Sequence, residues 1–273
     1  MYEIFDEISF QDESITLKQI KPLPWTNNAF EFTIAHNSQV LKQPLWFAHL
    51  TLLALLKTEF NTVLDIGSGD GMASWIFKFL DKKVTSLEPA GVYARLQSHP
   101  GYQPDYTNDY MDVKFDQKFD AIWCSHVLEH IRNPGNFLDK IYDDLNEGGI
   151  LALTIPYNDM TDDILWCCFG HHNKYTHSLL VYQLICAGFD CRNIHIANYM
   201  GQIGIILKKV SNNLPRINSG IYDDNLGKFF PDEMNVNIGD SGTRCDSAFV
   251  NWHYPITPST GYDIKILKDY KAS

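Results

Sequence analysis

The run Val63-Leu64-Asp65-Ile66-Gly67-Ser68-Gly69-Asp70-Gly71 decides how this chain folds. Val63 to Gly67 reads as a short buried strand. Three glycines in five positions then break it, and from Met72 to Leu80 the apolar residues recur at helical spacing. A glycine-rich bend between a strand and a helix lets backbone come close to a ligand, and it turns the N–H groups of the helix start toward that ligand. The bend therefore predicts a nucleotide-like ligand at the carboxyl end of a strand.

Working outward, strand and helix alternate. Val84 to Glu88, Phe119 to Cys124 and Gly149 to Ile155 read as further strands, with Asn136 to Asn146 as a helix ended by Gly148-Gly149. Ser178 to Ala187 fits a helix with Gly188 just past its end, followed by strands near Arg192 to Asn198 and Ile203 to Val210. This rhythm predicts an α/β fold: a doubly wound, mostly parallel sheet covered by helices. Three regions are expected. Residues 1–57 form an N-terminal helical cap whose clearest element surrounds Trp46, and 58–210 form the ligand-binding domain. Residues 211–273 form a loop-dominated C-terminal extension packed on that domain, since aromatics such as Phe229, Phe230, Trp252 and Tyr254 need burial.

With 273 residues, 45% of them hydrophobic and 20% charged, the chain suits one globular domain with decorations. A formal net charge of -11 argues against a nucleic-acid partner, because neutralising a phosphate backbone needs a Lys and Arg surplus. The six cysteines show no paired C-x-x-C spacing and read as reduced thiols of a cytoplasmic protein. MYEIFDEISF carries acids where an export signal carries a basic region. The most apolar run, Leu45 to Leu56, is interrupted by His49 and Thr51 and falls short of the roughly 20 residues that cross a bilayer. No membrane is expected as a partner, and the oligomeric state is left open.

A dinucleotide fingerprint would read G-x-G-x-x-G, but the sixth position counted from Gly67 is Met72. The actual pattern is G-x-G-x-G with an acid two residues ahead. It resembles the first signature of class I S-adenosylmethionine-dependent methyltransferases, and the resemblance spans about Thr62 to Val210. It implies a Rossmann-like sheet of seven strands and S-adenosyl-L-methionine as cofactor. Asp65, Gly67, Ser68 and Gly69 then hold its amino-acid end, where a carboxylate favours an ammonium and a sulfonium but would repel a diphosphate. Glu88, with Pro89 beside it, stands near the spacing at which such folds place an acid on ribose hydroxyls. Asp109 and Tyr110 correspond to the acid and aromatic of the adenine end, with Asp112 as fallback.

The run Cys124-Ser125-His126-Val127-Leu128-Glu129-His130 ends in H-x-x-E-H, the order of ligands and base in one class of zinc proteases. Strand residues up to Cys124 and the Pro134-Gly135 pair leave little room for the long helix such a site needs. The run instead resembles the fourth signature of the methyltransferases, with Ser125 and His126 lining the cofactor pocket at a strand's carboxyl end.

Methyl transfer to a hydroxyl needs the acceptor positioned in line and a base to take its proton. Histidine is suited to that near neutral pH. The candidates are His126, His130 and His172, the last falling on the histidine of an H-x-x-[FY]-[ST] stretch common before the penultimate helix in small-molecule and glycan methyltransferases. Four histidines on one rim, His171 included, could also hold a metal. No metal is expected, however, because no compact acidic trio is evident, and Asp159, Asp162 and Asp163 read as a polar insertion loop. The expected activity is O-methylation of a small polar metabolite, such as a sugar or a nucleotide-linked surface-glycan precursor. The alternatives are an NAD-dependent oxidoreductase and an inactive scaffold that binds the cofactor without turnover.

Overall fold

The computed structural model describes residues 7–19, 30–33, 44–69, 71–93, 102–157, 170–199, 201–212, 214, 216–217, 224–234, 249–250 and 264–266. In chain order these form β1 (Glu7–Gln19), β2 (Phe30–Thr33), α1 (Pro44–Leu56), β3 (Thr62–Ile66), α2 (Met72–Phe79), β4 (Lys83–Leu87), α3 (Ala90–Tyr93) and β5 (Phe119–Ser125). There follow α4 (Pro134–Asp144), β6 (Leu145–Pro156), α5 (His177–Cys186), β7 (His195–Tyr199), β8 (Gln202–Lys208), β9 (Phe249–Val250) and β10 (Ile264–Ile266).

The main sheet runs β4-β3-β5-β6-β8-β7-β9. Its first three pairings are parallel and its last three antiparallel, so β8 and the two-residue β9 oppose the common direction of the other five strands. Six strands have regular length. Beyond β4, among the described residues, there is a single parallel bridge, Leu87 to Tyr106.

Alternation along the strands makes two buried faces. Leu64, Ile66, Ile122, Cys124, Leu151 and Leu153 join one cluster with Phe137, Leu138 and Ile141 of α4 and with Leu180, Val181, Leu184 and Ile185 of α5. Burying each such side chain contributes roughly 1.5–3 kcal/mol, enough to fix helices whose own propensity is modest. On the other face Phe77 of α2 meets Trp123 of β5 edge to face, ring centroids 6.1 Å apart. There α1 packs along β5, β6 and β8. Thr176 caps α5 by accepting from the Leu179 N–H, and Gly188 at φ 102 ends it.

The Gly148-Gly149 pair does not end a helix, as the sequence suggests; α4 stops at Asp144 and β6 starts at Leu145. Opposite, β5 shifts register between Phe119 and Ala121 while the partner advances from Leu145 to Ile150. The glycines form the resulting bulge, where a Cβ on Gly149 would stand 2.9 Å from the Asn146 carbonyl oxygen.

Residues outside the central region share strands. β1 pairs with β2 and with β10, while β9 extends the main sheet beside β7. Leu226, Phe230, Met234 and Val250 join the core cluster, with Phe229 packed against it. Trp25, Trp252, Tyr254, Asp159, Asp162 and Asp163 lie outside the described residues, as do the side chains of Trp46 and His49. Among the described residues, no helix is long and apolar enough to cross a membrane.

Candidate active site

The bend after β3 sits at the carboxyl edge of the sheet, pinned from beneath by Leu87, whose carbonyl accepts from the N–H groups of both Gly67 and Ser68 at 2.9 and 3.0 Å. Gly67, Gly69 and Gly71 all have positive φ, at 70, 57 and 84 degrees. Their surroundings differ. A Cβ on Gly67 would stand 2.3 Å from Val127 of the loop after β5, and one on Gly71 would stand 2.3 Å from the Tyr102 ring. At Gly69 a Cβ would meet no heavy atom of the described residues within 4 Å. Two glycines therefore admit protein neighbours, and the middle one faces open space.

Carboxylates flank this open space. Asp65 is fully buried and accepts from the Ser74 hydroxyl of α2 at 2.5 Å. Glu88 is buried and accepts from the Gly69 N–H at 2.7 Å; desolvation raises its pKa, opposed by that bond. Tyr102 donates to Ser68 Oγ at 2.6 Å. Buried acids beside backbone with room above it suit a ligand carrying an ammonium and ribose hydroxyls, so the residues fit S-adenosylmethionine. Pro89 follows Glu88, half-buried.

The adenine-end candidates separate. Asp109 is exposed and accepts from the Met111 N–H, capping the turn Tyr110–Asp112. Tyr110 is turned into the core against Phe137 and donates to Asp144 at 2.7 Å.

After β5 the chain passes through Ser125 and His126, the latter at φ 55, into the short helical turn Leu128–His130. The contact between Val127 and Gly67 joins this loop to the glycine bend. His126 bridges Ser125 Oγ at 3.0 Å and Gln202 Oε1 at 2.9 Å. The Gln202 oxygen can only accept, so the network assigns the His126 proton to Nε2. Burial pushes this ring down to about 4, with the Gln202 bond opposing, and it is neutral at pH 7.

Glu129 is 1% exposed, and neither of its carboxylate oxygens has a hydrogen-bond partner among the described residues. Burial pushes its carboxyl up to about 8. Its backbone carbonyl accepts from the N–H groups of His172 and Asn173, at 2.7 and 3.1 Å, which fastens the segment before α5 to this turn. That pinning sets His130 and His171 edge to face, with ring centroids 4.7 Å apart. The His172 side chain is exposed on the rim. Tyr175, buried beneath, has no hydrogen-bond partner on its hydroxyl among the described residues. Its pKa is raised by burial and then by the charges of Glu129 and Cys124.

The structure thus brings Asp65, Gly67, Ser68, Gly69, Glu88, Ser125 and His126 to one edge of the sheet, adjoined by His130, His171 and His172. The sequence gives no sign that Tyr102 and Gln202 belong here, and it assigns no role to Glu129 or Tyr175, although both stand inside the quoted motifs. Glu129 stands inside the H-x-x-E-H run, but its burial depends on the loop that folds over it.

A family profile described as "Methyltransferase domain" matches residues 37–195. The chain belongs to that methyltransferase family. Solved structures agree at the level of the fold. A SAM-dependent methyltransferase from Archaeoglobus fulgidus is 15% identical with a TM-score of 0.50, over 60% of this chain and 93% of its own. A methyltransferase of Bacillus halodurans is 20% identical with a TM-score of 0.47, over 59% and 97% of the two chains. Human N-acetylserotonin methyltransferase in complex with SAM is 17% identical with a TM-score of 0.47, over 59% and 50%. No curated protein matches the chain by sequence.

Proposed function

We propose that this methyltransferase modifies a hydroxyl oxygen of a small polar metabolite, such as a sugar or a nucleotide-linked precursor of a surface glycan. The observation that carries this reading is the imidazole-rich rim beside the glycine bend, where a hydroxyl would find a proton acceptor. A net charge of -11 disfavours a polyanionic acceptor.

S-adenosylmethionine supplies an electrophilic methyl group on a sulfonium. Around it, Asp65 and the 67–69 backbone take the amino-acid end. Glu88, already held by the Gly69 N–H, uses its other oxygen for ribose hydroxyls. Asp109 stands at the adenine end through its exposed carboxylate, and Tyr110 contributes there through the core it fills. Ser125 and His126 wall the pocket. His126 is a poor base, because its proton-accepting nitrogen already receives the Ser125 hydroxyl and its pKa lies far below neutrality. His172 is the better base, since its ring is exposed on the rim while its backbone is anchored to Glu129. A base with a pKa near the working pH contributes about 10²–10⁴-fold to the rate.

The test combines a screen of hydroxylated acceptors using labelled methyl donor with calorimetry against S-adenosylhomocysteine. Asp65→Ala is expected to lose cofactor binding. His172→Ala is expected to keep it and lose at least about a hundredfold in turnover. Full turnover in His172→Ala would remove that residue from the mechanism, and methylation confined to nitrogen or carbon acceptors would reject the oxygen assignment.

A further inference from the structure

We infer that Glu129, His130 and His171 form a binding site for one divalent first-row transition-metal ion. One donor atom from each, a carboxylate oxygen and two ring nitrogens, lies within 4.8 Å of the others. Ligand bonds of roughly 2.0–2.2 Å place donors about 3.4 Å apart around a tetrahedral ion, so the side chains need to close by up to about 1.4 Å.

Three independent features prepare the site. First, the Glu129 carboxylate is buried with neither oxygen hydrogen-bonded among the described residues, and its Oε1 stands 3.9 Å from His130 Nε2. An orphaned carboxylate at that depth is costly unless something cationic answers it. Second, His130 Nδ1 lies 3.0 Å from the Gly170 carbonyl, which can only accept. The ring proton therefore sits on Nδ1, and the Nε2 lone pair faces Glu129. A backbone carbonyl behind the ring is the usual orienting partner of a metal-bound histidine. Third, the two N–H bonds onto the Glu129 carbonyl set His171 opposite His130 by clamping the following residues, so the third ligand is placed by backbone.

Two imidazoles with one carboxylate suit zinc, iron, cobalt or nickel, whereas magnesium prefers an all-oxygen set. The His130 side chain is 43% exposed, which gives the ion an entry path. Three protein ligands leave at least one position for water, as in sites that do chemistry rather than closed structural ones. Two residues of the H-x-x-E-H run thus do bind metal, but with a partner from before α5 in place of His126, whose ring is held by Ser125 and Gln202.

The full chain, stripped with a chelator, is titrated with zinc chloride by calorimetry. One ion per chain is expected, with affinity falling at least tenfold in His171→Ala and in Glu129→Gln. Cobalt(II) in the same protein is expected to show visible bands without a sulfur-to-metal charge-transfer band, marking nitrogen and oxygen donors rather than thiolates. Glu129→Gln alters a buried group, so the half-exposed His171→Ala variant decides by itself. S-adenosylhomocysteine binding, measured on the same sample, is expected to persist, which separates loss of the metal site from loss of the methyl-donor pocket. Absence of zinc binding, unchanged affinity in His171→Ala, or a thiolate band would overturn the site.

Discussion

At the scale of single residues, the three glycines of the bend have the same backbone conformation for different reasons. Each holds positive φ, which costs an L-residue roughly 1–2 kcal/mol. Gly67 also leaves room for Val127, so Gly67→Ala adds an overpacking penalty of about 1–3 kcal/mol. Gly69 adjoins open space and, on the proposed reading, is the glycine over which the cofactor would pass. Thermal melts and calorimetry on the two alanine variants distinguish these roles. Gly67→Ala is expected to show the larger fall in melting temperature, and Gly69→Ala the larger loss of S-adenosylhomocysteine affinity relative to its stability cost. Wild-type affinity in Gly69→Ala would contradict the ligand-facing assignment.

At the scale of elements, the sheet edge is held in register by one acid. Asp120, at the start of β5, accepts from the N–H groups of Asn61 and Thr62 at the start of β3, at 3.1 and 3.0 Å, and from the Asn146 amide in the β6 bulge at 2.9 Å. Partial burial pushes its carboxyl up, but these bonds outweigh it and hold the group below the ordinary carboxylate range. A carboxyl depressed in the fold stabilises above its unfolded pKa, and that contribution disappears as pH falls through the folded value. Asp120→Ala is therefore expected to lose about 2–3 kcal/mol at pH 7, measured by urea unfolding. The gap to wild type should narrow below about pH 4. A constant gap across that range would mean that the Asp120 charge contributes nothing. Behind the bulge, Lys209 closes the end of α4 from within the core. Its Nζ donates to the carbonyls of Tyr142 and Leu145 at 2.8 and 2.9 Å, satisfying groups that the helix cannot.

For the whole molecule, the last part of the chain ties into two sheets, through β9 beside β7 and β10 beside β1. Val250 is fully buried in the main core. A chain ending at Met234 would uncover the β7 edge and remove that anchor. Losing about 2 kcal/mol corresponds to a fall of about 5 °C in Tm at this size. The residues around the glycine bend all precede the deleted segment, so S-adenosylhomocysteine binding should survive. An unchanged melting temperature would show that β9 and β10 contribute nothing to stability.

The sequence by itself determined the alternation of strands and helices and the glycine bend between them, because periodicity and glycine placement act locally along the chain. It also located the rim histidines, since strand ends and helix starts are local features. It misread Gly148-Gly149, because a bulge is defined by the facing strand. Only the tertiary structure distinguished among chemically identical residues. His126 became a neutral, doubly bonded wall through Gln202, 76 positions away. Tyr110 went to the core through Asp144. Glu129 lost its solvent and gained His171 because the segment before α5 folded over it. Burial and partnership across long sequence separations set proton affinity and ligand geometry, and neither is encoded in any short stretch of residues.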